Sequence, residues 1–179
     1  MNSQEEWWTD AIRFDAANLG YVMLQLPQLK LPTLQYAGVE FEVKQELHCS
    51  LLSIPSLASY SNEPVDALAL QRFAKAFIQS SGIRFKGFGA ALYLCKENDA
   101  RSIIVDAQVQ GAYELFAALR ENFSYLAKLP DPLLHVTLYK YKHRFGIGIH
   151  DEAELKQLCQ LIPEAEMRTV RELLLKTPQ

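Results

Sequence analysis

The chain has 179 residues, of which 49% are hydrophobic and 22% are charged, and its formal net charge is -3. These proportions are ordinary for a globular protein and exclude a fibrous or largely disordered chain. The acidic balance also argues against a broad positive surface for long duplex nucleic acid. The length favours one domain, so we predict a single two-lobed domain over residues 1–179.

The amino terminus predicts a cytosolic protein that does not engage a membrane. It is acidic where a secretory signal would be basic, and no apolar run of the chain approaches the ~20 residues that span a bilayer. The segment before Tyr21 is interpreted as an extra helix that carries Trp7 and Trp8, and we interpret these tryptophans as packing anchors rather than a ligand-stacking platform.

Three cysteines, Cys49, Cys95 and Cys159, are widely spaced, and no Cys-x-x-Cys pair suggests a redox centre or a zinc site. We therefore predict three reduced, mostly buried thiols. Cys49 alternates with two polar residues on a predicted strand, so its side chain should point to the opposite face and take no part in catalysis.

The first half of the chain begins with a predicted strand at residues 43–54. A helix follows, with Pro64 near its start and Gly82 after its end, which are ordinary start and stop signals. Residues 83–95 and 101–109 then form two predicted strands around a polar turn. The alternation of apolar residues and the turn signals predict a hairpin here.

The second half of the chain has a similar order of elements. A helix at residues 111–123 precedes a strand at residues 133–141. We then predict a helix at residues 151–162 and a final strand at residues 167–175. The recurring elements predict an α+β fold that is bilobal and pseudo-two-fold symmetric, with antiparallel sheets lining a central cleft and helices packed outside.

Two strands carry the same short motif, a histidine followed two places later by a hydroxyl residue and then by leucine. The first motif is His48-Cys49-Ser50-Leu51, and the second is His135-Val136-Thr137-Leu138. Because strand side chains alternate between faces, each histidine shares a face with its hydroxyl residue. Two such pairs facing each other would make a symmetric site.

Such a site suits displacement at phosphorus. One imidazole takes a proton from the attacking oxygen while the other, protonated, gives one to the leaving oxygen. Hydroxyl groups can donate hydrogen bonds to the non-bridging oxygens, where negative charge is held during transfer. Either motif alone has a plain structural explanation, but the two together favour catalysis.

On these motifs the chain resembles the two-histidine phosphoesterase superfamily, which includes RNA 2′,3′-cyclic phosphodiesterases and RNA-ligase-like proteins. The resemblance implies a bilobal fold and a cyclic phosphodiesterase that needs no metal or other cofactor. It makes His48 and His135 the acid-base pair, with Ser50 and Thr137 as the phosphate-holding hydroxyls. The implied partner is a nucleotide or RNA terminus carrying a cyclic phosphate, and the chain is expected to be a monomer.

Further residues are weaker candidates for substrate binding. Tyr139 and Tyr141 continue the strand after the second motif and would share its face, where they could stack on a base or simply pack. Lys86, together with Arg84 and Tyr93, lies on the predicted hairpin and could reach the mouth of the cleft, although ordinary surface positions would also explain all three. The basic run at residues 140–144 could hold a second phosphate or be a solvated strand end.

Some alternatives remain open at this stage. A zinc site built from His143, His150 and Asp151 is improbable, because their spacing does not match known zinc motifs. The same fold could also serve as a non-catalytic module that binds nucleotides or RNA ends. A scaffold with accidental motifs would instead hold His48 and His135 far apart.

Overall fold

The computed structural model describes residues 12–14, 20–143 and 146–177, with side chains from residue 20 onward. Trp7 and Trp8, for which we predicted a packing role, lie outside the described residues. Among the described residues, no helix is long and apolar enough to cross a membrane.

The described strands form an open antiparallel sheet. In chain order they are β1 (Ile12–Phe14), β2 (Tyr21–Gln25), β3 (Leu34–Tyr36), β4 (Val39–Val43), β5 (His48–Ser53), β6 (Arg84–Glu97), β7 (Ala100–Gln110), β8 (His135–Tyr141) and β9 (Cys159–Leu161). The spatial order is β1-β2-β5-β8-β7-β6-β9, while β4 also pairs with β8, and β3 pairs with β4. The two strands that carry the motifs are therefore neighbours at the centre of the sheet.

Five helices are described: α1 (Ile54–Leu57), α2 (Ala67–Ser81), α3 (Ala112–Asn122), α4 (Glu152–Leu158) and α5 (Arg168–Leu175). Asp66 caps α2, its side chain accepting a 3.0 Å hydrogen bond from the Ala69 amide, and Gly82 with φ +68° follows the last turn. These are the capping roles that carboxylates and glycines fill at the two ends of a helix. The mixed α and β composition and the antiparallel sheet agree with the predicted fold class.

The main hydrophobic core lies between one face of the sheet and the helices α2 and α3. Each helix contributes residues at helical spacing, namely Leu70, Ala74 and Ile78 from α2 and Leu115, Phe116 and Leu119 from α3. Full burial of a leucine-sized side chain contributes roughly 1.5–3 kcal/mol. A smaller cluster that includes Ile104, Ile147 and Ile149 occupies the other face of the sheet. The second face is thus only partly covered by apolar residues.

Two predicted elements near the carboxyl terminus are wrong. The predicted final strand is helix α5, whose buried residues Val170 and Leu174 are four positions apart, as a helix requires. The helix predicted to reach residue 162 ends at Leu158, because the chain then continues as β9 and pairs with β6.

The prediction of three reduced thiols is also wrong. Cys95 on β6 lies opposite Cys159 on β9, and the two form a disulfide. The two residues are 64 positions apart in the chain, so their spacing gave no sign that strand pairing would bring them together. Cys49 is free and buried, as predicted.

Candidate active site

The site is organised by one fully buried row of residues that crosses four strands. In this row each residue is paired with the next across the sheet, in the order Leu24 (β2), Cys49 (β5), Val136 (β8) and Val105 (β7). All four are 0% exposed and belong to the main core. Because the middle residues of both motifs point into the core, the motif histidines and hydroxyl residues must point to the other face.

The antiparallel pairing then brings the two motifs together. With Cys49 opposite Val136, the register sets His48 opposite Thr137 and Ser50 opposite His135. All four side chains are half-buried, in contrast to the fully buried row between them. The structure therefore unites the four motif residues predicted from the sequence on one face of the sheet.

The two histidines are diagonal neighbours on adjacent strands. Diagonal positions of an antiparallel pair are separated by ~7–8 Å, which leaves room for a phosphoryl group between two imidazoles. Consistent with this proximity, the charge of His48 contributes to lowering the pKa of His135. The arrangement excludes an accidental scaffold with the histidines far apart.

His135 has an unusual electrostatic setting. Burial is the main cause that lowers its pKa from 6.5 to about 4, followed by the charge of His150, while a backbone contact with Leu133 acts in the opposite direction. The buried Nδ1 atom of His135 has no partner with hydrogen-bond geometry among the described residues. His135 is therefore neutral near pH 7.

A loop at residues 146–150 lies over the hydroxyl of the second motif. A Cβ atom at Gly146 would approach Cγ2 of Thr137 to 2.9 Å, and the φ of Gly146 is +94°, so a side chain at this position would be both crowded and strained. The Ile147 amide donates a 2.9 Å hydrogen bond to Oγ of the buried Ser102. This anchor holds the loop against the sheet.

The same loop brings a third histidine to the site. Glu154 on α4 accepts hydrogen bonds from the His150 amide at 2.7 Å, and its carboxylate lies 3.0 Å from Nδ1 of the His150 ring. The start of α4 is tied to the segment after β5 by a hydrogen bond from Tyr60 to Asp151. A carboxylate that binds one nitrogen of an imidazole fixes the orientation of the ring.

Asp106 is a further polar neighbour of the motifs. It lies directly opposite His135 on β7 and thus shares the face of the four motif side chains. Burial raises the pKa of its carboxyl group. In the described part of the chain, this carboxylate makes no hydrogen bond or ion pair.

The prediction that Tyr139 shares the face of His135 and Thr137 is wrong. The pairing of β7 with β8 shifts at Ile103 and Ile104, so that Tyr139 lies opposite Ile103, which belongs to the main core. Tyr139 is fully buried, and its hydroxyl donates a 2.9 Å hydrogen bond to the Pro32 carbonyl. Its ring is not available to stack on a base.

Tyr141 and Lys86 have different positions. Tyr141 is half-buried beside Phe41, with ring centroids 6.4 Å apart, and it packs against the edge of the main core. Lys86 is exposed on β6 and lines a surface cavity together with Asp106. Of the two, only Lys86 lies beside a residue that neighbours the motif histidines.

Sequence reasoning missed Asp106 and the role of His150. The aspartate in Ile103-Ile104-Val105-Asp106 was a local signal, because it follows directly on three buried apolar residues of β7. His150 had no comparable signal, since its nearness to His135 depends on the path of the loop. Among the described residues, no group of three or more histidine, cysteine or acidic side chains is arranged to hold a metal ion.

Comparison of the chain with protein-family models, with curated proteins and with solved structures found no match. Function is therefore inferred from the residues and their geometry.

Proposed function

We propose that this chain is a two-histidine phosphoesterase that cleaves a cyclic phosphodiester, the 2′,3′-cyclic phosphate of a nucleotide or RNA end. One observation carries the proposal. The register of β5 and β8 unites two imidazoles and two hydroxyls on one face of the sheet, diagonally arranged around a gap of phosphate size. Neither packing nor stability requires such a matched set.

The recurring order of elements supports the finer architecture of that family. A motif strand, a helix and a strand follow one another as β5, α2 and β6, and again as β8, α4 and β9. We accordingly regard the two halves as the pseudo-symmetric lobes of a bilobal enzyme, with the phosphate bound where β5 meets β8.

The lowered pKa of His135 favours one distribution of the two catalytic roles. His135, with its pKa lowered to about 4, is neutral near pH 7 and takes the proton from the attacking water. His48 then donates a proton to the ribose oxygen that leaves phosphorus. A P–O bond to water forms, a P–O bond to the ribose breaks, and the product is a nucleoside phosphate monoester.

The remaining polar groups hold the phosphoryl oxygens. Ser50 and Thr137 donate hydrogen bonds to the two non-bridging oxygens, where charge accumulates. His150, whose ring is oriented by Glu154, completes the polar surroundings of His135. No step in this mechanism requires a metal ion, so turnover should persist in the presence of a chelator.

The test uses His48→Ala and His135→Ala with the four common 2′,3′-cyclic nucleotides in the presence of EDTA. Because each variant loses one proton-transfer group, kcat/KM should fall by ~10²–10⁴-fold for either. The double variant should lose far less than the product of the two single losses, since the histidines act as a unit. Product formation followed by chromatography gives the rates.

His143→Asn provides the matched control, because this histidine is exposed after β8 and belongs to neither motif, and the asparagine oxygen can still accept the hydrogen bond that Nδ1 of His143 accepts from the Gly146 amide. Its kcat/KM should stay within about threefold of the native value. Undiminished turnover by His135→Ala would refute the mechanism. Tight nucleotide binding without any product would instead identify a non-catalytic binding module.

A further inference from the structure

A surface cavity of about 630 Å³ lies beside the proposed catalytic face. Its lining includes Leu133 and Leu134, which directly precede His135 in the chain. It also includes Asp106, which lies opposite His135 on the neighbouring strand β7. Its volume falls within the range of ~300–1,000 Å³ that small-molecule sites usually have. The cavity therefore borders on residues next to His135 and is large enough for a nucleoside.

The floor of the cavity carries a polar stripe on β7. Asp106, Gln108 and Gln110 all line the cavity and alternate with Ala107 and Val109, whose side chains pack against the main core. A carboxylate and two amides thus extend away from His135 along a single strand. Such groups recognise hydrogen-bonding edges rather than apolar ligands.

The position of Asp106 depends on a glycine on the neighbouring strand. A Cβ atom at Gly89 would lie 2.7 Å from Cβ of Asp106, a distance that no real side chain could occupy without displacing the aspartate. The half-buried carboxylate nevertheless makes no hydrogen bond or ion pair with any described residue. A half-buried carboxylate without a protein partner keeps its oxygens available, and a bound ligand with N–H donors would satisfy them.

We propose that this cavity binds the base of the substrate and selects guanine, with Asp106 as the specificity-determining residue. The proposal rests on the proposed function, because it names the nucleoside attached to the cyclic phosphate at that site. The proposed function leaves the base of the nucleotide open, whereas this inference names guanine.

The chemistry of the four common bases supports guanine. Only guanine presents two adjacent donors, its ring N–H and its exocyclic amino group, and these match the two oxygens of a carboxylate. Beside those donors guanine has a carbonyl oxygen, which can accept a hydrogen bond from the amide of Gln108. Tyr113, which lines the cavity and is 57% exposed, offers an aromatic ring on which the base can stack.

The experiment measures kcat/KM for the four 2′,3′-cyclic nucleotides and for glycerol 1,2-cyclic phosphate, which has no base. The native protein should prefer the guanine substrate over adenine by about tenfold or more, as expected for hydrogen bonds to a charged acceptor. Asp106→Asn should abolish that preference, so that the ratio of kcat/KM for the guanine substrate to kcat/KM for the adenine substrate falls by about tenfold, while the glycerol substrate reports any change in turnover that does not depend on the base. The matched control Asp99→Asn, at the exposed β6-β7 turn, should keep the preference.

Binding of guanosine 3′-monophosphate and adenosine 3′-monophosphate by calorimetry tests the cavity independently of turnover. Loss of guanosine 3′-monophosphate affinity by about tenfold in Asp106→Asn would support the proposal even if no substrate were cleaved. Equal affinity for the two nucleotides, no binding of either, or an unchanged preference in Asp106→Asn would overturn it. If the glycerol substrate is cleaved without any base preference, guanine selection fails while the proposed function stands.

Discussion

The β5 and β8 motifs are similar in sequence but differ in their surroundings. On the outer side of β5 lies β2, whose Gln25 and Met23 are the cross-strand neighbours of His48 and Ser50. On the corresponding side of β8 lies β7, with Asp106 opposite His135, and the loop at residues 146–150 covers the hydroxyl residue. One motif borders on uncharged side chains and the other on ionisable groups.

This difference shows how two copies of a motif can acquire different chemical roles. A strand pattern determines which side chains share a face, but the neighbours determine their proton affinity. Burial and the charge of His150 act on the ring of His135, which carries the lowered pKa. Three experiments test whether the two motifs differ in this way.

The largest expected effect concerns the acidic limb of the pH-rate profile. If His135 is the base, kcat/KM should hold its value as pH falls to 5, because the ring is protonated only near pH 4. A histidine with an unshifted pKa of ~6.5 would lose about 30-fold at pH 5. Initial rates at pH values between 4.5 and 7.5 give kcat/KM along this acidic limb.

His150→Gln sharpens the same experiment. Removing the charge of His150 should raise the pKa of His135 and move the acidic limb toward neutral pH. An acidic limb near pH 6.5 in the native protein would contradict the assignment of His135 as the base. An unmoved limb in His150→Gln would show that this charge does not act on His135.

The second effect is on stability. A lowered pKa in the folded state means that the unfolded chain takes up a proton near pH 6.5 while the folded chain does so only near pH 4. Stability should therefore fall as pH decreases through this window, by up to about 2 kcal/mol between pH 7.5 and 5. Urea unfolding at both pH values gives the free energies of unfolding.

His135→Gln should lose this part of the pH dependence, whereas His143→Asn should keep it. The difference between the two variants isolates the contribution of one ring from that of all other titrating groups. Identical pH dependence in both variants would contradict the lowered pKa of His135.

The smallest effect concerns the middle residue of each motif, Cys49 in β5 and Val136 in β8. Burial raises the pKa of the Cys49 thiol to about 12, so it has no thiolate to contribute at neutral pH. Cys49→Val should change stability by less than ~1.5 kcal/mol and leave kcat/KM within about twofold. A loss of activity in a stably folded Cys49→Val variant would give the thiol a function.

Much of the fold could be predicted from local signals. The helix at α2 was predicted because Pro64 and Gly82 mark its limits, and the β6-β7 hairpin because a polar turn separates two alternating runs. Helix α5 was not predicted, because the run Leu173-Leu174-Leu175 is apolar at every position and its pattern does not distinguish a helix from a strand. Its placement depends on tertiary contacts, among them hydrogen bonds from Arg171 to the carbonyls of Ala90 and Ile162.

Of the candidate site, only the part that follows from strand periodicity could be predicted. The shared face of each histidine and its hydroxyl residue follows from a two-residue repeat. The repeat fails at Tyr139, because a register shift against β7 reverses the face, and such shifts depend on the partner strand. Asp106 reaches the site through strand pairing, and its only local signal is its place after an apolar run, whereas His150 reaches the site through the path of a loop and has no local signal.

The buried row from Leu24 to Val105 determines how the site is assembled. Since β5 and β8 are adjacent strands, the spacing of His48 and His135 is set by backbone pairing and needs no hinge motion to become competent. Separating the rings would require breaking the middle of the sheet, where Cys49 and Val136 are 0% exposed. On heating or in denaturant, His48 and His135 should therefore separate only when the whole molecule unfolds.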